Sequence, residues 1–314
     1  MKITVLDGNA LNPGDLSWDC LKKYGSVTVY SQTASDQVVE RIGDSDAVFL
    51  NKICINSSIL EKCPNLKYIG VLATGYNVID VDAVKKAGIV VTNIPSYSTM
   101  AVSQHVFSLL LNFTNQVALH NESVQNGDWK KSDSFCYWKT PLTELDGKNI
   151  GIFGYGNIGK QVEKIALAFN MKPLICLHHH NPGIKNSVSF EKMLNESDVI
   201  TLHAPLTNET HEIINKNTIS QMKDGVYLIN TARGGLVNEQ DVKEGLESGK
   251  IAGYGADVLV EEPMSENCPL FNVKNAVLTP HLAWAPLETR MRCLNIALNN
   301  FDSYLRGKII NSIY

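Results

Sequence analysis

An apolar run at residues 149–153 leads into Gly154, Gly156 and Gly159, and an amphipathic stretch follows at 160–169. This spacing demands a strand, a tight turn and a helix in immediate succession. Gly154 permits the turn, Gly156 lets backbone approach an anion without a Cβ, and Gly159 allows close helix–strand packing. The unpaired N–H groups at the helix start then face a phosphate. Alone, such a loop is a weak signal; inside a series of strand–helix units it points to a dinucleotide.

That series runs the length of the chain. Short apolar runs at 3–6, 27–30, 47–50, 68–72 and 89–92 alternate with amphipathic stretches at 16–24, 38–42, 57–63 and 81–87. A longer helical stretch is expected at 99–120, with Val102, Val106, Leu109, Leu110 and Phe113 on one face. Residues 135–146, with Pro141 and three aromatics, break the pattern as an ordered connector. A second series of strands follows at 149–153, 173–177, 199–202, 226–230, 251–257 and 276–279. The closing helix at 286–305 has no strand after it, so it is expected to return to the first domain. Alternation of this kind builds parallel α/β sheets.

At roughly 150 residues per domain, 314 residues make two domains. Hydrophobic residues are 44% and charged residues 19%, which excludes disordered and fibrous classes. The net charge is −4 with no basic block, arguing against nucleic acid or an anionic membrane as partner. Seven scattered cysteines form no C-x-x-C pair, so neither a zinc site nor a disulfide framework is expected. Residues 1–7 read as a strand rather than a signal peptide. No apolar run reaches the ~20 residues that span a bilayer. The expected location is the cytoplasm.

The carboxylate that would hold the ribose hydroxyls of NAD at the end of the second strand of the glycine-loop domain is absent. Leu177 stands there, followed by His178-His179-His180, with no Arg or Lys to mark a 2′-phosphate pocket. The histidines read either as weak phosphate donors or as a solvated loop. No metal is expected, because three consecutive side chains do not readily converge on one ion.

Three further residues stand at or just beyond strand ends: Arg233, Glu262 and His281. In an open parallel sheet, ligands bind beyond the carboxyl ends of the strands. Arginine pairs with a carboxylate in two parallel hydrogen bonds. Histidine gives or takes a proton near neutral pH, and a neighbouring glutamate favours the imidazolium and fixes the ring. Beside a nicotinamide, this set suits hydride transfer to a 2-keto acid. Singly, each has a plainer reading: a turn arginine before Gly234-Gly235, a solvated Glu261-Glu262-Pro263 loop, a core histidine.

The glycine loop, residues 230–235, Asp257 with Glu261-Glu262-Pro263, and Pro280-His281 resemble the D-isomer-specific 2-hydroxyacid dehydrogenase family. The resemblance extends to residues 74–80, to Gln104-His105 and to the closing helix. Residues 12–18, 135–138 and 284–287 are most similar to its bacterial glycerate dehydrogenase (hydroxypyruvate reductase) branch. The resemblance implies catalytic roles for Arg233, Glu262 and His281. It implies cofactor contacts from Gly154, Gly156, Asn157, Ile158, Gly159, Leu177, His178, Ala204, Thr231, Ala232, Arg233, Asp257, His281 and Ala283. Substrate contacts would come from Asn51, Lys52, Gly75, Tyr76, Asn77, Arg233 and His281, with Trp138 reaching the partner of a homodimer. Leu177 departs from the acid of many NAD-using members and leaves NAD or NADP open, NAD slightly favoured.

The expected architecture is two doubly wound α/β domains. A Rossmann-type nucleotide domain, 99–284, is inserted into a flavodoxin-like substrate domain, 1–98 and 285–314, with the chemistry in the cleft between them. The expected reaction is hydride transfer between nicotinamide and a small D-2-hydroxy acid or its keto acid, D-glycerate/hydroxypyruvate first and glyoxylate second. Rival readings are a nucleotide-sensing corepressor-like protein on the same fold, a dehydrogenase for a branched 2-hydroxy acid, a methyltransferase, and formate dehydrogenase.

Overall fold

A computed structural model describes residues 1–177 and 183–314. The histidines at 178–180, including the cofactor candidate His178, lie outside the described residues. The chain divides into two compact units, Met1–Ser98 with Ala285–Tyr314, and Thr99–Trp284.

The first unit holds β1 (Lys2–Val5), β2 (Ser26–Val29), β3 (Ala47–Leu50), β4 (Tyr68–Val71) and β5 (Val90–Thr92). Helices α1 (Val38–Ile42), α2 (Ser57–Leu60) and α3 (Val81–Ala87) lie on the connections. All strands are parallel, in the order β2-β1-β3-β4-β5, which is the flavodoxin-like order. β3 and β4 are buried along their whole length, as central strands covered on both faces must be. Asn56 and Asp80 cap α2 and α3 by accepting from the N–H groups of Ile59 and Ala83. The stretch expected as a helix at 16–24 shortens to a 3₁₀ segment, Asp19–Tyr24. The Asn12 side chain accepts from the N–H groups of Gly14 and Leu16 and holds the start of that stretch as a loop.

The second unit opens with α4 (Thr99–Asn115) and α5 (Val117–Gln125). The single helix expected at 99–120 breaks at Gln116, which takes a left-handed φ of 49°. The reason is the end of the apolar stripe. α4 buries Val102, Val106, Leu109, Leu110 and Phe113, whereas α5 buries only Ser123. Then come β6 (Asn149–Phe153), α6 (Asn157–Ala168), β7 (Lys172–Cys176), α7 (Phe190–Glu196) and β8 (Val199–Leu202). α8 (Lys216–Gln221), β9 (Val226–Asn230), α9 (Glu239–Glu247), β10 (Ile251–Ala256) and β11 (Ala276–Leu278) complete it. The six strands are parallel in the order β11-β10-β9-β8-β6-β7. Beyond β7, Ser187 makes one parallel bridge to Ile175, the remnant of a further edge strand. With it, the order reads as the doubly wound dinucleotide-binding type.

α10 (Leu287–Leu305) belongs to the first unit. Its Phe301 ring sits 5.5 Å from Phe49 and 4.8 Å from Tyr68. Arg290, buried on the same helix, grips the Asp15 carboxylate with two 2.6 Å hydrogen bonds. After α10, where no strand is expected, Ser312 makes one antiparallel bridge to Thr92 at the sheet edge.

Candidate functional site

The order of the second sheet reverses at β6, between β7 and β8, and the crevice beyond strand ends at such a point is where ligands bind. The structure puts the glycine loop there. Gly154 has φ 95°, and a Cβ on it would stand 2.5 Å from the Ala204 nitrogen, so the loops after β6 and β8 touch through a missing side chain. Gly156 is the N-cap of α6 with no side-chain cap, and the direction its Cβ would take is open space. The first turn of α6 carries no acidic residue of its own, and its N–H groups lie at the positive end of the helix dipole.

Two buried polar groups border this crevice without partners among the described residues: the Thr231 hydroxyl and both ring nitrogens of His203. Burial pushes the His203 pKa down to about 3, so its ring is neutral. Groups of this kind are costly unless a ligand satisfies them. A helix start without an acidic residue, a glycine cradle and orphaned polar atoms fit a dinucleotide. Leu177, partly exposed, follows β7 and offers no acceptor to a ribose.

The second half of the site grows from the loops after β9, β10 and β11. Asn230 holds the first of them by accepting from Ala232 N–H at 3.1 Å and donating to the Arg233 carbonyl at 2.9 Å. Gly234 lies flat against the second loop, since a Cβ there would meet the Leu259 carbonyl carbon at 1.9 Å. The Leu259 N–H donates to Glu262 Oε1 at 3.1 Å, and Glu262 Oε2 accepts from His281 Nδ1 at 2.6 Å. The Arg233 loop, Glu262 and His281 thus follow one another through direct contacts. The Arg233 guanidinium itself is exposed and donates to the Ala232 carbonyl at 2.6 Å.

His281 has a φ of 53°, a left-handed conformation that costs a non-glycine residue about 1–2 kcal/mol. The loop that carries it is clamped by the buried Asp257. Asp257 Oδ1 accepts from the Thr279 hydroxyl at 2.6 Å and from Leu282 N–H at 2.9 Å, and Oδ2 accepts from Ala283 N–H at 2.8 Å. Asp257, expected among the cofactor contacts, thus spends its carboxylate chiefly on holding this loop.

In the first unit, the Asn51 side chain is buried and donates to the Leu72 carbonyl at 3.3 Å, while Lys52 is exposed. The loop after β4 is held by Thr74, which donates to the Ile94 carbonyl, and by Asn93, which donates to the Thr74 carbonyl, both at 2.7 Å. No acceptor among the described residues meets the N–H groups of Gly75, Tyr76 and Asn77. Trp138, on the connector, is 67% exposed.

The description "D-isomer specific 2-hydroxyacid dehydrogenase, NAD binding domain" fits residues 107–283. A hydroxypyruvate reductase of Blautia hydrogenotrophica is 47% identical over 100% of this chain and 99% of its own. The chain belongs to the D-isomer specific 2-hydroxyacid dehydrogenase family. A glycerate dehydrogenase of Methylorubrum extorquens shares 37% identity over 99% of this dehydrogenase and 98% of its own length. An acyclic imino acid reductase solved in complex with NADPH and D-Arg matches with a TM-score of 0.86 and 32% identity, covering 100% of both chains. This dehydrogenase is therefore an oxidoreductase built around a dinucleotide-binding domain.

Sequence reasoning passed over His203 and Thr279 and gave His105 no role. A signal for His203 exists: it directly follows a buried strand, the same position that singles out residues near the ends of β9, β10 and β11. Among the described residues of this dehydrogenase, no helix is long and apolar enough to cross a membrane, and no histidine, cysteine or carboxylate cluster is arranged for a metal.

Proposed function

We propose that this dehydrogenase reduces hydroxypyruvate to D-glycerate, with glyoxylate as second substrate. The observation that carries the chemistry is the 2.6 Å bond from His281 Nδ1 to Glu262. A carboxylate only accepts, so Nδ1 bears hydrogen and the proton to be transferred resides on Nε2. Glu262, fixed by Leu259 N–H, holds Nδ1 and so turns Nε2 away from itself. A bound dihydronicotinamide supplies the hydride. His281 protonates the carbonyl oxygen in the reductive direction and recovers the proton in the oxidative one. Arg233 leaves its backbone contact to pair with the substrate carboxylate and polarise the carbonyl. The free N–H groups of Gly75, Tyr76 and Asn77 suit a carboxylate as well. The choice of substrate rests on the relatives named hydroxypyruvate reductase and glycerate dehydrogenase.

Gly154, Gly156, Asn157, Ile158, Gly159, Ala204, Thr231 and Ala232 would hold the dinucleotide. With Leu177 in place of an acid, both NADH and NADPH serve, NADH slightly better. A relative that carries NADPH is consistent with a tolerant site. Val117, Trp129, Phe135, Trp138 and Leu142 are exposed apolar side chains, and a second copy of the chain would cover them. Light scattering at micromolar concentration would return twice the monomer mass.

The deciding experiment follows NADH and NADPH oxidation with hydroxypyruvate, glyoxylate, pyruvate and 2-ketoisocaproate. Hydroxypyruvate should be fastest; a preference for 2-ketoisocaproate would overturn the assignment. His281→Ala should lower kcat at least about 100-fold with cofactor affinity unchanged. Wild-type turnover in that variant would remove His281 from the chemistry.

A further inference from the structure

We propose that His105, on α4, is a positioning residue for the reaction, acting on His281 through Thr279 and Asp257. The proposal rests on the reading of His281 as proton donor. His105 Nε2 lies 2.9 Å from the Thr279 hydroxyl oxygen, and that oxygen lies 2.6 Å from Asp257 Oδ1. The directions of these bonds are forced. An ionised carboxylate can only accept, so the single hydroxyl hydrogen of Thr279 goes to Asp257. The hydroxyl oxygen must then accept, which places the hydrogen of the His105 ring on Nε2.

His105 thereby decides which way the Thr279 hydroxyl turns. That hydroxyl has a second acceptor in reach, the Ala256 carbonyl at 3.4 Å. With the Nε2 donor in place, the hydroxyl stays on Asp257; without it, the rotor is free to leave. Asp257 would then keep only the N–H groups of Leu282 and Ala283, one side of the turn. His281 sits inside this clamp, between Thr279 and Leu282, in a conformation that persists only when its surroundings over-determine it. The side chains of His105 and Asp257 are 16% and 2% exposed, so water replaces the lost donor poorly. Loosening the clamp should displace the His281 ring from its productive direction while leaving the dinucleotide crevice alone.

The test compares His105→Phe, which keeps a ring and removes the donor, with His105→Gln, whose amide places a donor near the Nε2 position. His105→Phe should lower kcat about tenfold, with KM and NADH affinity within about twofold of wild type. His105→Gln should recover kcat to within about threefold of wild type. Thr279→Val should resemble His105→Phe, and the double variant should be no slower than Thr279→Val alone. Wild-type kcat in His105→Phe, equal kcat in the Phe and Gln variants, or additive effects in the double variant would each overturn the proposal. Should His105→Phe fail to fold, Thr279→Val against Thr279→Ser breaks the same chain one bond further along, and equal rates for these two would overturn it. His281→Asn is measured alongside. Activity there would refute the proton-donor reading itself, whereas an inactive His281→Asn with an unaffected His105→Phe removes only the His105 chain.

Discussion

In the first unit the strand order reverses at β1, and the loops after β1 and β3 meet across an aspartate. Asp7 Oδ1 accepts from Asn51 N–H at 2.8 Å and Oδ2 from Lys52 N–H at 2.7 Å. In the second unit the loops after β6 and β8 meet at the corresponding point, but there the chain places Gly154 and Gly156. The reversal of strand order is the same; the anion differs. The first unit supplies its own carboxylate and satisfies its loop. The second places no acid in the first turn of α6 and leaves the Thr231 hydroxyl and the His203 ring without protein partners among the described residues. A doubly wound sheet provides a crevice at its switch point, and the residues there decide whether it holds structure or a ligand.

The sharpest way to break the contrast is to give the second unit an anion of its own. Gly156 has φ −77°, which any residue adopts, and open space ahead of its Cβ. Gly156→Asp should cap α6 without loss of thermal stability. It should weaken NADH binding about 1,000-fold, because the carboxylate occupies and repels the phosphate position. Energy transfer from tryptophan to NADH reports the affinity, and an unchanged Kd would show that the dinucleotide lies elsewhere.

The converse change removes the anion from the first unit. Asp7→Ala leaves two N–H groups without acceptors and should cost about 2–3 kcal/mol in chemical denaturation. NADH affinity should not move. If cofactor binding fell with stability, the division of labour drawn above would be wrong.

A smaller effect is expected at the end of β7. Leu177→Asp adds an acceptor for ribose hydroxyls and a repulsive charge against a 2′-phosphate. It should shift the ratio of kcat/KM for NADH over NADPH about tenfold toward NADH. A constant ratio would assign cofactor choice to residues outside this position.

The smallest effect is a slope against pH. Burial raises the Asp7 pKa above its ordinary value, and the two backbone hydrogen bonds only partly oppose this. The folded chain thus holds this proton more tightly than the unfolded one. The associated stability is complete below the unfolded carboxyl pKa and is lost as pH rises through the folded value. The unfolding free energy of wild type relative to Asp7→Asn should therefore decline from about pH 4 upward. A difference that grows with pH would mean the hydrogen bonds outweigh burial.

The alternation of strands and helices, the glycine loop and the placement of Arg233, Glu262 and His281 near strand ends were legible because each depends on neighbours a few residues away. Periodicity records which face of an element is buried, and a turn that needs glycine records it in place. The break at Gln116 was not legible, because the residues after it still form a helix, and only the packing shows that this helix buries Ser123 alone. The clamps were not legible either. Asp7 reaches Asn51 across 44 positions, and His105 reaches Thr279 across 174. An aspartate that holds two N–H groups of a distant loop carries no local mark to separate it from a solvated one. By itself, then, the sequence determined a chain of strand–helix units with a phosphate-type turn and an arginine, a glutamate and a histidine near strand ends. Only the tertiary structure decided which carboxylates are consumed in holding loops, which polar groups are left without partners among the described residues, and that Glu262 and His281 share a hydrogen bond. Those outcomes depend on distances between loops, and loops acquire fixed distances only when the sheets beneath them have packed.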